Sequence, residues 1–230
     1  MLDTSKKKNL DQEIHRLCDL FTQGFVQEVL DQTKEMIKEF PTSIALLIIE
    51  GDAHTKLKQF ENGIQSYKRA IELKPDFAAS HFNLGVALQE IGNFEAAVGS
   101  YKNALAISPS HLEARFNIGS IRLEIGDLNA AIDSYKQILR IEPNYYRAYN
   151  NMAKALKNKG EVDEAMHCIN IAIKLKPDYS KAFLEKGILL KLFGQLQESL
   201  DAYNTALISD SNIFEAKCER LYVKQTMCDW

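Results

Sequence analysis

At 230 residues, with 46% hydrophobic content and a net charge of -3, the chain reads as a folded soluble protein with no general electrostatic argument for a nucleic-acid or membrane partner. No stretch approaches the apolar length of a membrane span, LLII at 46–49 being far too short, and the basic start MLDTSKKKNL is not followed by the apolar run of a secretory signal. The four cysteines, Cys18, Cys168, Cys218 and Cys228, form no CxxC pair and keep no regular spacing, so reduced thiols and a cytoplasmic location are expected.

In chain order, residues 1–9 are polar and read as a frayed, disordered end. Residues 10–43 read as a degenerate helix pair. Ile14, Leu17 and Leu20-Phe21 form one apolar face, Gly24 marks a turn, and Val26, Val29, Leu30, Met36 and Ile37 form a second face. Five further pairs follow over 44–77, 78–111, 112–145, 146–179 and 180–213. Their helices are joined at Gly92-Asn93, Gly126-Asp127, Gly160-Glu161 and Gly194, with Lys58 in the corresponding place of the 44–77 pair. Glycine there supplies a helix end with positive φ. Residues 214–230 carry Phe214, Cys218, Leu221 and Tyr222 on a helical face and read as a capping helix and tail over the last pair.

The interval is constant. All five prolines, Pro41, Pro75, Pro109, Pro143 and Pro177, stand 34 residues apart, each where a second helix has to stop. Self-similarity at this period indicates tandem helix–turn–helix units. Counting each repeat from residues 44, 78, 112, 146 and 180, position eight is small: Gly51, Gly85, Gly119, Ala153 and Gly187. Position twenty is small too: Gly63, Ala97, Ala131, Ala165 and Ser199. Position twenty-four is aromatic in Tyr67, Tyr101, Tyr135 and Tyr203, with Ile169 departing, and position twenty-seven is Ala70, Ala104, Ala172 and Ala206, with Ile138 departing. Small residues let two helices approach closely, and the aromatic fills the gap to the neighbouring helix.

On these positions the chain, from residue 10 to about 228, resembles the tetratricopeptide repeat family. The tryptophan of the family's fourth position is absent; Leu47, His81, Arg115, Tyr149 and Phe183 stand there. The resemblance implies an all-α fold, an α-solenoid of 34-residue repeats wound as a right-handed superhelix. It also implies a concave surface lined by the first helices, and a scaffold for a protein or peptide partner.

Positions two, five, six, nine, twelve and thirteen are expected on that surface. Position six carries Asn83, Asn117 and Asn151 in consecutive repeats, flanked by Ile49 and Glu185. Asparagine is a middling to poor helix former, so a run of three mid-helix asks for a reason. Each amide offers donors and an acceptor to the backbone of an extended peptide. Copying of neutral residues between duplicated repeats is the alternative. A charge shift accompanies the ladder. Arg147, Lys154, Lys157, Lys181 and Lys191 fall at surface positions of the last two repeats, while Asp52, Gln89, Glu90, Glu113 and Glu124 do so earlier. A basic half suited to an acidic peptide is expected, against the plain reading of solvated lysines. Lys154 with Asn150 and Asn151 is a partial likeness to the lysine–asparagine clamp of some tetratricopeptide cochaperones, without its spacing.

The ladder and the terminal Cys228-Asp229-Trp230 also resemble the repeat region of O-linked N-acetylglucosamine transferases, which implies, as an alternative, the substrate-recognition arm of a glycosyltransferase-like enzyme. Self-association through repeat ends is a further alternative. No phosphate loop, dinucleotide fingerprint, HExxH or GxSxG is present, and His15, His54, His81, His111 and His167 keep no ligand spacing. A non-catalytic protein without cofactor or metal is expected.

Overall fold

The prolines and turn glycines divide the chain into helices of nearly equal length. In the computed structural model, which describes residues 4–228, these are α1 (Thr4–Thr22), α2 (Val26–Glu39), α3 (Ile44–Lys56), α4 (Phe60–Leu73), α5 (Ala78–Glu90), α6 (Phe94–Ile107), α7 (Leu112–Glu124), α8 (Leu128–Ile141), α9 (Tyr146–Lys159), α10 (Val162–Leu175), α11 (Ser180–Leu192), α12 (Leu196–Ser209) and α13 (Phe214–Cys228). No strand occurs among the described residues, and no described helix is long and apolar enough to cross a membrane. From α3 onward first helices start every 34 residues, and from α2 onward so do second helices. The chain divides into two bodies, Met1–Ala114 and Arg115–Trp230, the division falling inside α7.

The turns combine two devices. Gly92, Gly126, Gly160 and Gly194 have φ of 75°, 82°, 89° and 74°, and Lys58 adopts the same left-handed conformation at 60°. The following backbone N–H then reaches back to an orphan carbonyl, as from Asn93 to Leu88 at 2.9 Å and from Asp127 to Arg122 at 2.8 Å. Where Asn93 or Asp127 follows the glycine, its side chain caps the next helix by accepting from Ala96 N or Ala130 N, each at 3.3 Å. One dipeptide thus ends a helix and starts the next.

Packing inside a pair rests on a ring laid on a glycine. A Cβ built on Gly51, Gly85, Gly119 or Gly187 would lie 2.4, 2.6, 2.8 and 2.4 Å from the Cε1 of Tyr67, Tyr101, Tyr135 and Tyr203. Position twenty-four therefore fills the space that position eight leaves. In the 146–179 repeat Ala153 is matched by Ile169, and in the 10–43 repeat Leu17 is matched by Thr33, all four buried. A larger residue at position eight is met by a smaller one sixteen residues on.

In the N-terminal body Leu17, Val29, Leu30, Leu46 and Leu47 form one buried cluster joining α1, α2 and α3. Of residues 1–9, expected to be frayed, 4–9 belong to α1 and 1–3 lie outside the described residues. Leu10, Ile14 and Phe21 anchor that helix, and lysines, good helix formers, carry it towards the terminus.

The face of α13 differs from expectation. Phe214, Leu221 and Tyr222 are exposed by 77%, 59% and 59%, and Cys218 is exposed too. The covering face is instead Ala216 and Val223, which join Leu184, Tyr203 and Ala206 in a buried cluster. The repeat register is the reason. Ala216 and Val223 occupy positions three and ten, which are also buried in α3 (Leu46, Ala53), α9 (Ala148, Ala155) and α11 (Ala182, Leu189). α13 packs as one more first helix, and its exposed side is the one that elsewhere meets a second helix.

Candidate functional site

In the N-terminal body the polar residues of the first helices form a network. Tyr67 Oη donates to Asp52 Oδ1 at 2.6 Å, and the Asn83 amide donates to the same oxygen at 2.9 Å. Burial raises the Asp52 carboxyl above its ordinary range, and the hydrogen bonds from Tyr67 and Asn83 pull it partly back. The network borders an open pocket of about 440 Å³ lined by Phe21, Asp52, Phe60, Phe82, Asn83 and Val86, with Lys56, Lys58 and Glu90 also on its lining.

In the C-terminal body the Asn151 amide donates at 3.4 Å to both Ser120 Oγ and Tyr135 Oη, and its oxygen accepts from Asn150 at 3.3 Å. Asn117 is half-buried on α7. Asn150, expected on the surface, is only 1% exposed; its counterparts at position five in the same body, Phe116 and Leu184, are buried apolar residues, so in the C-terminal body this position faces inward. Glu185, 3% exposed, takes Lys154 on one oxygen at 3.1 Å and Lys157 on the other at 2.8 Å. Lys191 pairs with Glu219 and lies 5.2 Å from the Tyr222 ring centroid. The Arg147 guanidinium stands 4.4 Å from the Phe116 ring centroid and donates to Tyr145 Oη at 3.3 Å. Lys181 is exposed.

One rule orders these contacts. The position-six side chain of these first helices reaches back to position nine or twelve of the preceding first helix, and Asn151 reaches the tyrosine of that repeat as well. Asn83 meets Asp52 and Asn151 meets Ser120, while Glu185 meets Lys154 and Lys157, and Glu219 meets Lys191. Asn83 and Asn151 are therefore joints between repeats, and their amides are half-buried. Of the expected site residues, Asn150 and Asn151 are brought together, and Lys154 and Lys157 share Glu185. The sequence reading missed Glu185, Glu219 and the tyrosine hydroxyls as partners. The signal was present: both glutamates stand at position six of their own helices, in line with the asparagines.

Helix pairs repeated at a constant step, joined within each body through a fixed set of positions, define the class of all-α repeat scaffolds. A family model described as TPR repeat matches residues 51–92, and two described as tetratricopeptide repeat match 84–146 and 122–186. The chain belongs to the tetratricopeptide repeat family, an all-α solenoid of helical repeats serving as a protein-interaction scaffold, with a protein or peptide as partner.

Among solved structures it is similar to a tetratricopeptide repeat protein from Parabacteroides merdae ATCC 43184, with 19% identity over 94% of this chain and 86% of that one and a TM-score of 0.80. It is also similar to PilW, a type IV pilus biogenesis factor, with 17% identity over 90% and 96% of the two chains and a TM-score of 0.80. A third is YrrB, described as a TPR protein with an unusual peptide-binding site, with 16% identity over 84% and 97% and a TM-score of 0.62. No curated protein matches the chain significantly in sequence. Of the tail motif, Asp229 and Trp230 lie outside the described residues, and of Cys228 only its place at the end of α13 is described.

Proposed function

We propose that the chain is a non-catalytic scaffold that holds an extended peptide against the polar side chains of its first helices. The observation that carries this reading is the Asp52–Asn83 network at the edge of an open pocket. An asparagine amide has two donor hydrogens and an acceptor oxygen, so the bond to Asp52 leaves Asn83 capacity for a partner's backbone. The peptide-binding site ascribed to YrrB, a structure of similar fold, supports the same use of the family's architecture. A preference for acidic segments has narrower support, since Lys154, Lys157 and Lys191 already face glutamates. An acidic segment there exchanges partners with Glu185 and Glu219 instead of meeting bare cations.

Fluorescence polarisation with labelled acidic, basic and neutral extended peptides tests the reading. The triple variant Asn83→Ala/Asn117→Ala/Asn151→Ala is expected to bind about tenfold or more weakly, each neutral hydrogen bond contributing about 0.5–1.5 kcal/mol. Asn83 and Asn151 also join repeats, so circular dichroism has to show that the variant is folded at the assay temperature. Equal affinity in the folded variant removes the amides from the site. No binding by the wild type across the panel removes the peptide reading itself.

A further inference from the structure

We propose that the pocket beside Asp52 receives an arginine side chain of the bound segment, an inference that rests on the peptide reading and specifies its chemistry in the N-terminal body. Asp52 is half-buried and makes no ion pair among the described residues. Its Oδ1 accepts from two neutral donors, Tyr67 and Asn83, which fix the carboxylate in place, while Oδ2 accepts from no donor among the described residues. A fixed, partly desolvated carboxylate with one oxygen to spare is a site for a cation. The walls are Phe21, Phe60, Phe82 and Val86, so the pocket offers apolar surface to a methylene stem and a carboxylate to its head. Its volume of about 440 Å³ suits a side chain with its flanking backbone.

The two lysines on the lining, Lys56 and Lys58, are exposed, so their charges are hydrated and screened; Glu90, also on the lining, opposes them. The chain itself supplies a precedent for the head group. Phe82 and Phe116 both stand at position five of their repeats, and Phe116 carries the guanidinium of Arg147 at 4.4 Å. Phe82 has Tyr101 and His111 as ring neighbours and, among the described residues, no cation on its ring. A guanidinium is planar and weakly hydrated, so it stacks on a phenyl ring while donating to a carboxylate; a lysine ammonium does this less well.

The test uses the full chain labelled with 15N, titrated with N-acetyl-arginine methylamide and with its neutral isostere N-acetyl-citrulline methylamide. The arginine compound is expected to give saturable shifts at the amides of Asp52, Phe82 and Asn83, with the citrulline compound binding about tenfold more weakly. Asp52→Asn keeps the shape and an acceptor for Tyr67, and is expected to lower arginine binding to the citrulline level. Equal binding of the two compounds, unchanged binding by a folded Asp52→Asn variant, or no saturable shift at these residues overturns the proposal. Neither compound has an extended backbone, so this failure is distinct from failure of peptide capture, which the labelled peptides report.

Discussion

The glycine at position eight and the ring at position twenty-four are a single packing site divided between two helices. A Cβ on Gly85 falls 2.6 Å from Tyr101 Cε1, so Gly85→Ala has to displace a fully buried ring, at a cost of about 1–3 kcal/mol. Tyr101→Ile alone leaves a void and is also destabilising. The double variant reproduces Ala153 with Ile169, which the chain already uses. It is expected to lose less stability than the two singles combined, with a coupling of about 0.5–3 kcal/mol by urea denaturation. Strict additivity would show that the two positions do not share one space. Read from the sequence, Ala153 met the small-residue pattern and Ile169 was a lone departure from the aromatic one. That they compensate was not legible, because partners sixteen residues apart meet only once the hairpin of helices has closed.

At the scale of elements, position six connects α5 to α3 in one body, and α9 to α7, α11 to α9 and α13 to α11 in the other. The sequence showed the asparagine ladder and the lysines clearly, but showed them as a surface awaiting a partner. Burial decides otherwise for part of the set. Glu185 is nearly sequestered, and Lys154 and Lys157 on α9 converge on it from the preceding repeat. The lysines' register was readable, whereas their neutralisation needed the spacing between α9 and α11. Glu185→Gln keeps the shape and removes the charge, leaving two ammonium groups with a neutral acceptor. The expected loss is about 1–3 kcal/mol in chemical denaturation, the scale of hydrogen bonds to charged groups. Because the carboxylate side chain is only 5% exposed, added salt is expected to reduce this difference only slightly. Wild-type stability in the variant would mean that these pairs do not hold α9 and α11 together.

For the whole molecule, the recurring tyrosine makes alkaline pH the condition to which both bodies respond. The all-α repeat architecture and the turn chemistry were legible from the 34-residue period; the packing face of α13 was not, because its exposed apolar residues looked like the buried ones. Burial holds the phenols of Tyr67, Tyr135, Tyr179 and Tyr203 above their ordinary value of 10.0, and for Tyr67 the nearby Asp52 charge adds to it. Burial likewise pushes the Cys168 thiol up to about 11 from 9.0. A group whose pKa is raised by folding holds its proton more tightly in the native state. Its stabilising contribution is complete below the unfolded value and is lost as pH rises through the folded one. The four phenols therefore oppose folding progressively above pH 10.0, with Cys168 contributing from 9.0 to about 11. Asp52 follows the same sign in the acid range, so Asp52→Asn is expected to stabilise the N-terminal body at neutral pH. In an alkaline titration, tyrosinate absorbance from the buried rings is expected to rise together with loss of the helical circular dichroism signal. Tyr203→Phe removes one such proton while keeping the ring on Gly187, so it should move the midpoint to higher pH. Tyrosinate appearing in full while helicity is unchanged would mean that these rings ionise inside the folded repeats, and that burial does not hold them neutral.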